Sequence, residues 1–431
     1  MEVGADNSEC VNSVGLKQEA EVRKLLVFDT AYSFEAIRER KLEDSVTCRD
    51  LGGFFEHVWS VHPFASIVTS EKWASKFGKP ESYNLDSCHT FIEGKVGRYR
   101  ILRGIAPLNF LISQLEILVA LRRLVRKEKI SVIRSGDPLY LGLFGLALSR
   151  LCGIPLVLRI GANYDKSYET TGRPRQARLF YARWVEKIVE RFVFKNADLV
   201  AGANQDNLNF ALENGARPET STLFRYGNLI DKRHFVDPEA RPEGQSLLSE
   251  LGLKAPFLLY IGRLEEIKHP DDVIKVLAET RKRGHDVQAV LVGDGSLREK
   301  LKTLARELEM GDHVIFCGNK DQEWLSRVIP LALVIISPHT GRALSEAALG
   351  GVPIVAYDVD WQGELIQSGL TGELVPYAAL EKMIDAVERI INSPEYACKV
   401  GAAVRKRAIE MLDPEMLDQH ERDTYLKLFN I

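Results

Sequence analysis

The sequence lacks three features that would assign it to a special class. Its six cysteines form no CxxC pair, which argues against a zinc site or a disulfide framework and predicts reduced thiols in a cytoplasmic compartment. No apolar run reaches the roughly 18 residues of a membrane span. The polar first 22 residues contain no apolar core of a secretion signal. We therefore expect a soluble cytoplasmic protein.

An excess of one charge is also absent. The chain has 57 Lys and Arg against 60 Asp and Glu, a formal net charge of -3. No global attraction to nucleic acid is expected, and any anion must be recognised locally. With 431 residues, 45% of them hydrophobic, the chain is globular in composition and too long for one ordinary core. Two domains are therefore expected.

Short apolar runs alternate with longer amphipathic ones from residue 24 onward. The strands predicted for the first half are at 25–28, 58–61, 99–102, 131–134, 156–160 and 198–201, and the helices are at 109–127, 139–151 and 175–194. A polar stretch at 228–256 resembles a linker. The strands predicted beyond it are at 257–261, 287–292, 314–317, 331–337 and 352–357, with helices between them and from 378 to the end. This alternation predicts an α/β fold with parallel sheets covered on both faces.

Two cations, Arg263 and Lys268, follow the strand at 257–261. At the carboxyl end of a strand and just before a helix, they can converge on one anionic group. A pair of solvated surface cations is the alternative. The next strand ends in a GDG turn at 293–295, which lacks the third glycine of a dinucleotide fingerprint and so disfavours a NAD-dependent dehydrogenase.

The segment SPHTGRALSEAALGGVPIVAYD at 337–358 places small and polar residues where a strand passes into a helix. A helix that starts near Arg342 presents free amides to an anion, and Gly341 lets a ligand come close. Glu346, about one turn inside, suits the vicinal hydroxyls of a ribose beside a diphosphate. Its alternative role is that of a first-turn acid that complements the helix dipole.

Together, GRLEEIKHPDDVI, LVGDGSLREKL, the 337–358 segment and GELIQSGLTGELVP resemble the retaining GT-B glycosyltransferases of family 4. The resemblance spans nearly the entire second half and extends to YGNLIDKRHF at 226–235. The first half resembles the family mainly in its alternation, in GIPLVLRIGANYD and in NADLVAGANQDN. The fold class that this resemblance implies is α/β, GT-B, with two doubly wound Rossmann-like domains that face an interdomain cleft.

The resemblance also implies a division of labour along the chain. We expect a polar tail at 1–22, an acceptor-binding domain at 23–235, a nucleotide-sugar-binding domain at 236–413, and a final helix at 414–431 that crosses back to the first domain. The implied activity is retaining, metal-independent transfer of a sugar from a nucleotide-diphosphate sugar to a glycan, lipid-linked or other hydroxyl acceptor, as in polysaccharide biosynthesis. No cofactor, metal or nucleic acid is expected.

In this family the donor site lies mostly in the second domain. By resemblance, Arg263 and Lys268 are catalytic, because they hold the diphosphate and neutralise the charge that grows on the leaving group. The implied donor-binding residues are Gly262, Arg263, Lys268, Gly293, His339, Thr340, Gly341, Arg342 and Glu346. Glu364, in WQGE at 361–364, is a further candidate beside the donor.

One departure concerns the donor sugar. The family usually has an acid eight residues before Glu346, and this chain has Pro338 there. His339, Thr340 or the neighbouring backbone amides are the candidates to replace it. Because of this departure, the alternative remains that the chain is a catalytically weak or inactive protein that binds nucleotide sugars. A sugar phosphorylase is a further alternative. It is disfavoured because the sequence has no lysine-anchored cofactor motif.

The first half supplies fewer candidates. Asp137 stands in the loop after a strand where relatives often have a histidine, and it is a candidate for catalysis and acceptor binding. Its alternative role is to cap the helix that follows. Arg159 and Asn163, in and just after the strand 156–160, are predicted to bind the acceptor because ligands lie beyond the carboxyl ends of strands.

The predicted helix at 109–127 ends in the basic run RRLVRK. A basic amphipathic helix of this kind can rest on anionic lipid, which would add peripheral contact with the inner face of the membrane. A solvated charged face is the alternative.

Overall fold

The computed structural model describes residues 22–29, 33–40, 43–65, 77–226, 230–241, 245–253, 256–339 and 341–429. They form two separate sheets with helices packed on both faces of each. Thr340 lies outside the described residues. The two-sheet α/β architecture confirms the predicted fold class.

The first sheet has eight strands in the order β3-β4-β2-β1-β5-β6-β7-β8, and only β3 runs antiparallel to its neighbour. The strands are β1 (Lys24–Phe28), β2 (His57–His62), β3 (Glu81–Asn84), β4 (His89–Glu93), β5 (Val132–Ser135), β6 (Leu156–Ile160), β7 (Leu199–Gly202) and β8 (Ser221–Leu223). The α-helices described in this half are Phe34–Arg40, Asp44–Thr47, Ala106–Glu128, Tyr140–Cys152, Tyr164–Thr171, Ala177–Phe180, Arg183–Asn196 and Gln205–Glu213.

The second sheet has six parallel strands in the order β11-β10-β9-β12-β13-β14. The strands are β9 (Phe257–Ile261), β10 (Gln288–Val292), β11 (Val314–Gly318), β12 (Val334–Ser337), β13 (Ile354–Asp358) and β14 (Glu373–Pro376). The helices after the first half are Gln245–Glu250, Pro270–Lys282, Arg298–Glu307, Gln322–Val328, Ala343–Leu349, Gln362–Leu365, Leu380–Asn392, Pro394–Leu412 and Pro414–Phe429. This strand order is that of a dinucleotide-binding Rossmann sheet.

The strands of the second sheet are apolar on both faces, as a sheet covered by helices on both sides requires. All five residues of β9 are buried. Leu259 packs into the cluster on one face, and Leu258 and Tyr260 pack into the cluster on the other. None of the described helices combines the length and the apolar content that a membrane crossing requires.

Two sequence predictions in the first half are wrong. Residues 99–102 form no strand, because the segment Arg100–Gly104 is a 3-10 helix whose Ile101 is 90% exposed. The predicted helix at 175–194 is interrupted near Tyr181, whose φ of 62° is left-handed. Strands β3 and β4, which lie at one end of the sheet, were not predicted. The edge strand β3 is polar and has no apolar alternation that would indicate a strand.

The polar stretch at 228–256 is not a solvated linker in its described parts. Ile230 packs into a core cluster of the second half. The buried guanidinium of Arg241 donates hydrogen bonds to the carbonyl oxygens of His234, Val236, Ser326 and Leu349. Many internal hydrogen bonds therefore hold this polar segment on the second half.

The final helix Pro414–Phe429 packs on the first sheet. Tyr425 is fully buried in the cluster that contains Leu25, Val58 and other side chains of the strands. The Glu421 carboxylate lies between two arginines of that sheet, 3.0 Å from Nη1 of Arg134 and 3.6 Å from Nη1 of Arg159. The last helix of the chain thus covers one face of the first half.

We predict that Glu421→Gln lowers the melting temperature, because it leaves positive charge buried without its counter-charge. Breaking a buried ion pair costs about 3 kcal/mol. The matched control is Asp423→Asn on the exposed side of the same helix, where the change should stay within about 0.5 kcal/mol. Thermal unfolding of both variants measures the difference, and equal melting temperatures would show that the buried pair does not hold the helix.

Candidate active site

The second sheet forms a crevice where β9 and β12 lie side by side. The chain continues from β9 to β10 on one side and from β12 to β13 on the other, so the two following loops diverge. Ligands of open α/β sheets bind in such a crevice, beyond the carboxyl ends of the strands. The two loops here, 262–268 and 338–342, contain most of the predicted donor-binding residues.

Glycines fix the first of these loops against its neighbour. Gly293 has a φ of 135°, and a Cβ there would lie 1.9 Å from the carbonyl oxygen of Gly262. A Cβ on Gly262 would in turn lie 2.7 Å from the hydroxyl oxygen of Tyr260, which donates a hydrogen bond to the carbonyl of Arg263. Both glycines are thus required for loop packing, and their contact with a donor stays a prediction.

The two predicted cations lie close to each other and to the second loop. Arg263 is exposed and Lys268 is half-buried. A Cβ built on Gly341 would lie 3.8 Å from Nζ of Lys268. Burial lowers the pKa of the Lys268 ammonium, the Arg263 charge lowers it further, and Asp360 opposes the shift. Neither cation forms a hydrogen bond or a salt bridge through its side chain with another described residue.

His339 joins the loops around the crevice. Its Nδ1 donates a hydrogen bond to the carbonyl oxygen of Ile267 at 3.1 Å, and its Nε2 lies 3.6 Å from a carboxylate oxygen of Asp360. The residue therefore bridges the loops after β9, β12 and β13. Buried Pro338 precedes it, and the carbonyl oxygen of Pro338 accepts a hydrogen bond from Nε2 of Gln362 at 3.0 Å.

Glu346 is buried in the short helix Ala343–Leu349. Its Oε1 accepts a hydrogen bond from Gln322 at 3.3 Å and lies 4.0 Å from Nε of Arg342. Burial raises the pKa of this carboxyl, while Arg342 and Gln322 oppose the shift. These are its only hydrogen-bond and ion-pair partners in the part of the chain that the structure describes. The carboxylate therefore has unused acceptor capacity there, which the dipole-capping alternative does not require.

The crevice faces the first half across a cavity of about 170 Å³. The first half contributes Gly161, Ala203, Asn204, Arg225 and Tyr226 to its lining, and the second half contributes Gly341, Arg342, Ser345, Asp360, Trp361 and Leu412. Two of the predicted donor residues, Gly341 and Arg342, therefore line the space between the two halves. This arrangement is the predicted interdomain cleft.

Asp137 has the geometry of the capping alternative. Its Oδ1 accepts a hydrogen bond from the backbone of Leu139 at 2.7 Å, where the helix Tyr140–Cys152 begins. Burial raises the pKa of its carboxyl to about 6. Only 6% of the residue is exposed, so these contacts support a structural role, and the predicted catalytic role has no support from them.

The two predicted acceptor residues also have structural partners. Arg159 donates hydrogen bonds at 3.1 Å to the carbonyl oxygens of Phe224 and Arg225, besides its approach to Glu421. Asn163 caps the helix Tyr164–Thr171 by accepting from two backbone amides. Acceptor binding by these side chains stays a prediction that their observed contacts do not favour.

Glu364, a candidate from the sequence, and Gln362, which the sequence did not single out, also shape the cleft. Glu364 joins the halves, with its Oε2 2.7 Å from Nη1 of Arg225 and its Oε1 2.6 Å from the amide nitrogen of Gln205, and its place beside the donor stays a prediction. Fully buried Gln362 donates to the carbonyls of Ser337, Pro338 and Tyr357. The only sequence signal for both was the position of WQGE just after a strand.

Comparison with known proteins agrees with this architecture. Residues 249–407 match the model of the family described as glycosyl transferases group 1. The chain is 28% identical over 253 residues to an alpha-D-kanosaminyltransferase of Streptomyces kanamyceticus, which covers 58% of this chain and 64% of that relative. It is 25% identical over 320 residues to a GDP-mannose-dependent alpha-(1-6)-phosphatidylinositol monomannoside mannosyltransferase of Mycobacterium tuberculosis, with coverages of 72% and 78%.

Solved structures share the fold over nearly the whole chain. The Anabaena protein HepE, solved in complex with UDP and glucose, has a TM-score of 0.68 and 16% identity, and the match covers 94% of this chain and 100% of that one. A sucrose-phosphate synthase from Thermosynechococcus elongatus has a TM-score of 0.69 and 18% identity, with coverages of 95% and 99%. The family match covers residues 249–407, less than half of the chain, and the likeness to the solved structures shows that the chain has the GT-B fold.

Proposed function

We propose that this chain transfers a sugar with retention, and without a metal ion, from a nucleotide-diphosphate sugar to a hydroxyl acceptor. The observation that carries the proposal is the position of Lys268 beside Gly341, next to Arg263 and without a bonded carboxylate among the described residues. A diphosphate supplies the negative charge that this arrangement lacks. The nucleoside would extend towards Glu346, whose carboxylate suits ribose hydroxyls.

The electrostatics of the cation pair favour catalysis as well as binding. Glycosyl transfer builds negative charge on the departing phosphate, and fixed cations stabilise that charge most strongly where water is excluded. Burial and repulsion from Arg263 destabilise the charged form of Lys268 when no ligand is bound. An anion that binds between the two cations offsets the cost of burial and the cost of repulsion. These cations can perform the charge neutralisation for which other transferases use a metal, which supports the proposed metal independence.

Retention and the acceptor class rest on the relatives. The names of the Streptomyces and Mycobacterium relatives specify alpha transfer by those proteins, and an alpha-linked donor that gives an alpha-linked product reacts with retention. The Mycobacterium name specifies a lipid-linked acceptor for that protein. We extend to this chain the broader class, a hydroxyl group of a glycan, a lipid-linked molecule or another glycoconjugate.

The first test is a thermal-shift screen over sugar nucleotides, because a ligand that binds only the folded protein raises its melting temperature. We expect one or a few sugar nucleotides to stabilise the chain and to be consumed. NMR of the product should show the donor's anomeric configuration, and EDTA should leave the rate unchanged. An inverted product or loss of activity in EDTA would refute those parts of the proposal, and saturable binding without turnover would favour an inactive binding protein.

Replacing Lys268 with Met should separate function from stability. Loss of one preorganised charge-stabilising group should lower kcat by about two to three orders of magnitude. The melting temperature without ligand should stay equal or rise, since a lysine whose pKa is lowered by folding destabilises the folded protein while it is charged. Lys300→Met, at an exposed position of the same half, is the control. Near-normal turnover by the Lys268 variant would contradict the diphosphate assignment. We expect Arg263→Ala to lower turnover by a similar factor.

Glu346→Gln should weaken nucleotide binding more than it slows turnover at saturating donor. The amide keeps the size of the side chain but loses the charge that favours two ribose hydroxyls as donors. Glu323→Gln, an exposed acid in the neighbouring helix Gln322–Val328, is the matched control. Titration calorimetry with the nucleoside diphosphate measures the difference, and unchanged affinity would return Glu346 to the role of complementing the helix dipole.

A further inference from the structure

Two helices of the first half expose rows of apolar side chains. On the helix Ala106–Glu128 the row continues from the preceding 3-10 segment and consists of Ile101, Ile105, Leu108, Leu111, Leu115 and Val119. On and just before the helix Arg183–Asn196 it consists of Tyr181, Trp184, Ile188 and Phe192. Spacings of three and four residues place each helical row on one face. We call these rows the two apolar ridges.

The ridges are additional to the core. Ile117, Leu121 and Val125 on the opposite side of the first helix are buried in the core cluster, as are Val193 and Phe194 of the second helix. The inner side of each helix thus contributes apolar side chains to the core, which the fold explains, and part of its outer side is apolar as well, which the fold does not explain. Exposed apolar patches of this extent mark interaction sites.

Both ridges lie on the same side of the first sheet. The two helices pack against opposite sides of the helix Tyr140–Cys152, which they both contact. Right-handed crossovers from β4 to β5, β5 to β6 and β6 to β7 place all three helices in one layer. The middle helix is mostly buried, so the ridges flank a recessed helix on one outer surface.

Positive charge accompanies both ridges. The exposed basic residues of this surface are Arg100, Arg103, Arg123, Arg126, Lys127, Arg178, Arg191 and Lys195. The acids of the second helix, Glu186 and Glu190, are fully buried and bound to Arg183. In the first helix, Glu116 pairs with Arg98, and Glu128 pairs with Lys24 and with Lys127, which leaves the arginines of the surface in excess. The surface is therefore basic, although the chain as a whole has a net charge of -3.

We propose that this surface docks on an anionic lipid bilayer, with the ridges in the interface and the basic side chains on lipid phosphates. Apolar rows with aromatic side chains and flanking Arg and Lys are the pattern of helices that lie in a membrane interface. The charge selects this occupant over a second copy of the chain, which would bring the same positive charge to the contact.

The direction in which the two helices run relative to the cleft fits an acceptor that is bound to a membrane. Crossover helices run antiparallel to the strands they connect, so the amino ends of both helices lie at the carboxyl edge of the first sheet, on which the cleft opens. The ridge residues from Ile101 to Leu115 and from Tyr181 to Ile188 belong to these amino-terminal parts. Docking by the ridges would therefore hold the mouth of the cleft near the membrane surface.

Co-sedimentation of the full chain with vesicles tests the proposal without any nucleotide sugar, so its outcome is independent of the proposed function. We expect binding to mixed phosphatidylglycerol–phosphatidylcholine vesicles, weaker binding in high salt, and little binding to pure phosphatidylcholine. Trp184 is 68% exposed in the free protein, so its fluorescence should shift to the blue on the anionic vesicles.

Three double variants separate the contributions. Leu111→Ser with Leu115→Ser, and Trp184→Ser with Ile188→Ser, should each weaken partitioning by roughly tenfold or more. Arg123→Gln with Arg126→Gln should weaken it by about fivefold for each charge removed. Leu370→Ser, at a comparably exposed leucine of the second half, should bind as the wild type does.

Absence of binding to the anionic vesicles, or wild-type binding by all three double variants, would overturn the proposal. Sedimentation velocity adds a second criterion. If the wild type is a dimer that does not bind vesicles, and the serine variants are monomers, the surface is an interface between copies of the chain instead. The arginine variants change only exposed side chains, so they keep the test decisive if the serine variants fold poorly.

Discussion

The proposed function depends on one electrostatic arrangement: two cations are held close together without bonded counter-charges among the described residues. Arg263 and Lys268 repel each other, and burial of Lys268 adds to the cost. Such a pair persists only if the surrounding backbone is rigid, and the contact between Gly262 and Gly293 provides that rigidity. The fold thus maintains an unfavourable charge distribution that a diphosphate would make favourable.

Contacts elsewhere in the second half hold the turn at Gly341 next to that pair. His339 links this turn to the carbonyl of Ile267, and Gln362 fixes the backbone at Pro338 through hydrogen bonds at full burial. Glu364 adds a contact with Arg225 of the first half. Because this ion pair crosses between the halves beside the cleft, it couples the position of the segment after β13 to that of the first half.

The sequence predicts elements best where apolar periodicity and loop chemistry agree. The strand before Arg263 and the turn before the helix at 343–349 were both predicted, because buried parallel strands are apolar throughout and glycines mark their ends. The edge strand β3 was missed because a polar strand carries no alternation. The segment 99–102 was misassigned because exposed and buried apolar side chains look alike in a sequence, and Ile101 faces solvent.

The sequence also predicts only part of the candidate site. The cations and Glu346 follow strand ends, so topology alone predicts their edge of the sheet. Asp137, Arg159 and Asn163 also lie at strand ends. Asp137 and Asn163 accept hydrogen bonds at helix starts, and Arg159 forms an ion pair with the last helix. Partners distant in sequence decide between such roles: Arg159 and Glu421 are 262 positions apart, and no local pattern records their pairing.

The position of the last helix has a consequence for biosynthesis. Pro414–Phe429 covers a face of the first sheet, but the ribosome makes it after every other described helix. Until then the emerging first half has an apolar sheet face without its cover, even when all its own strands have been synthesised. Completion of the first half therefore waits for the synthesis of this helix, so the two halves cannot finish folding in the order in which they are translated.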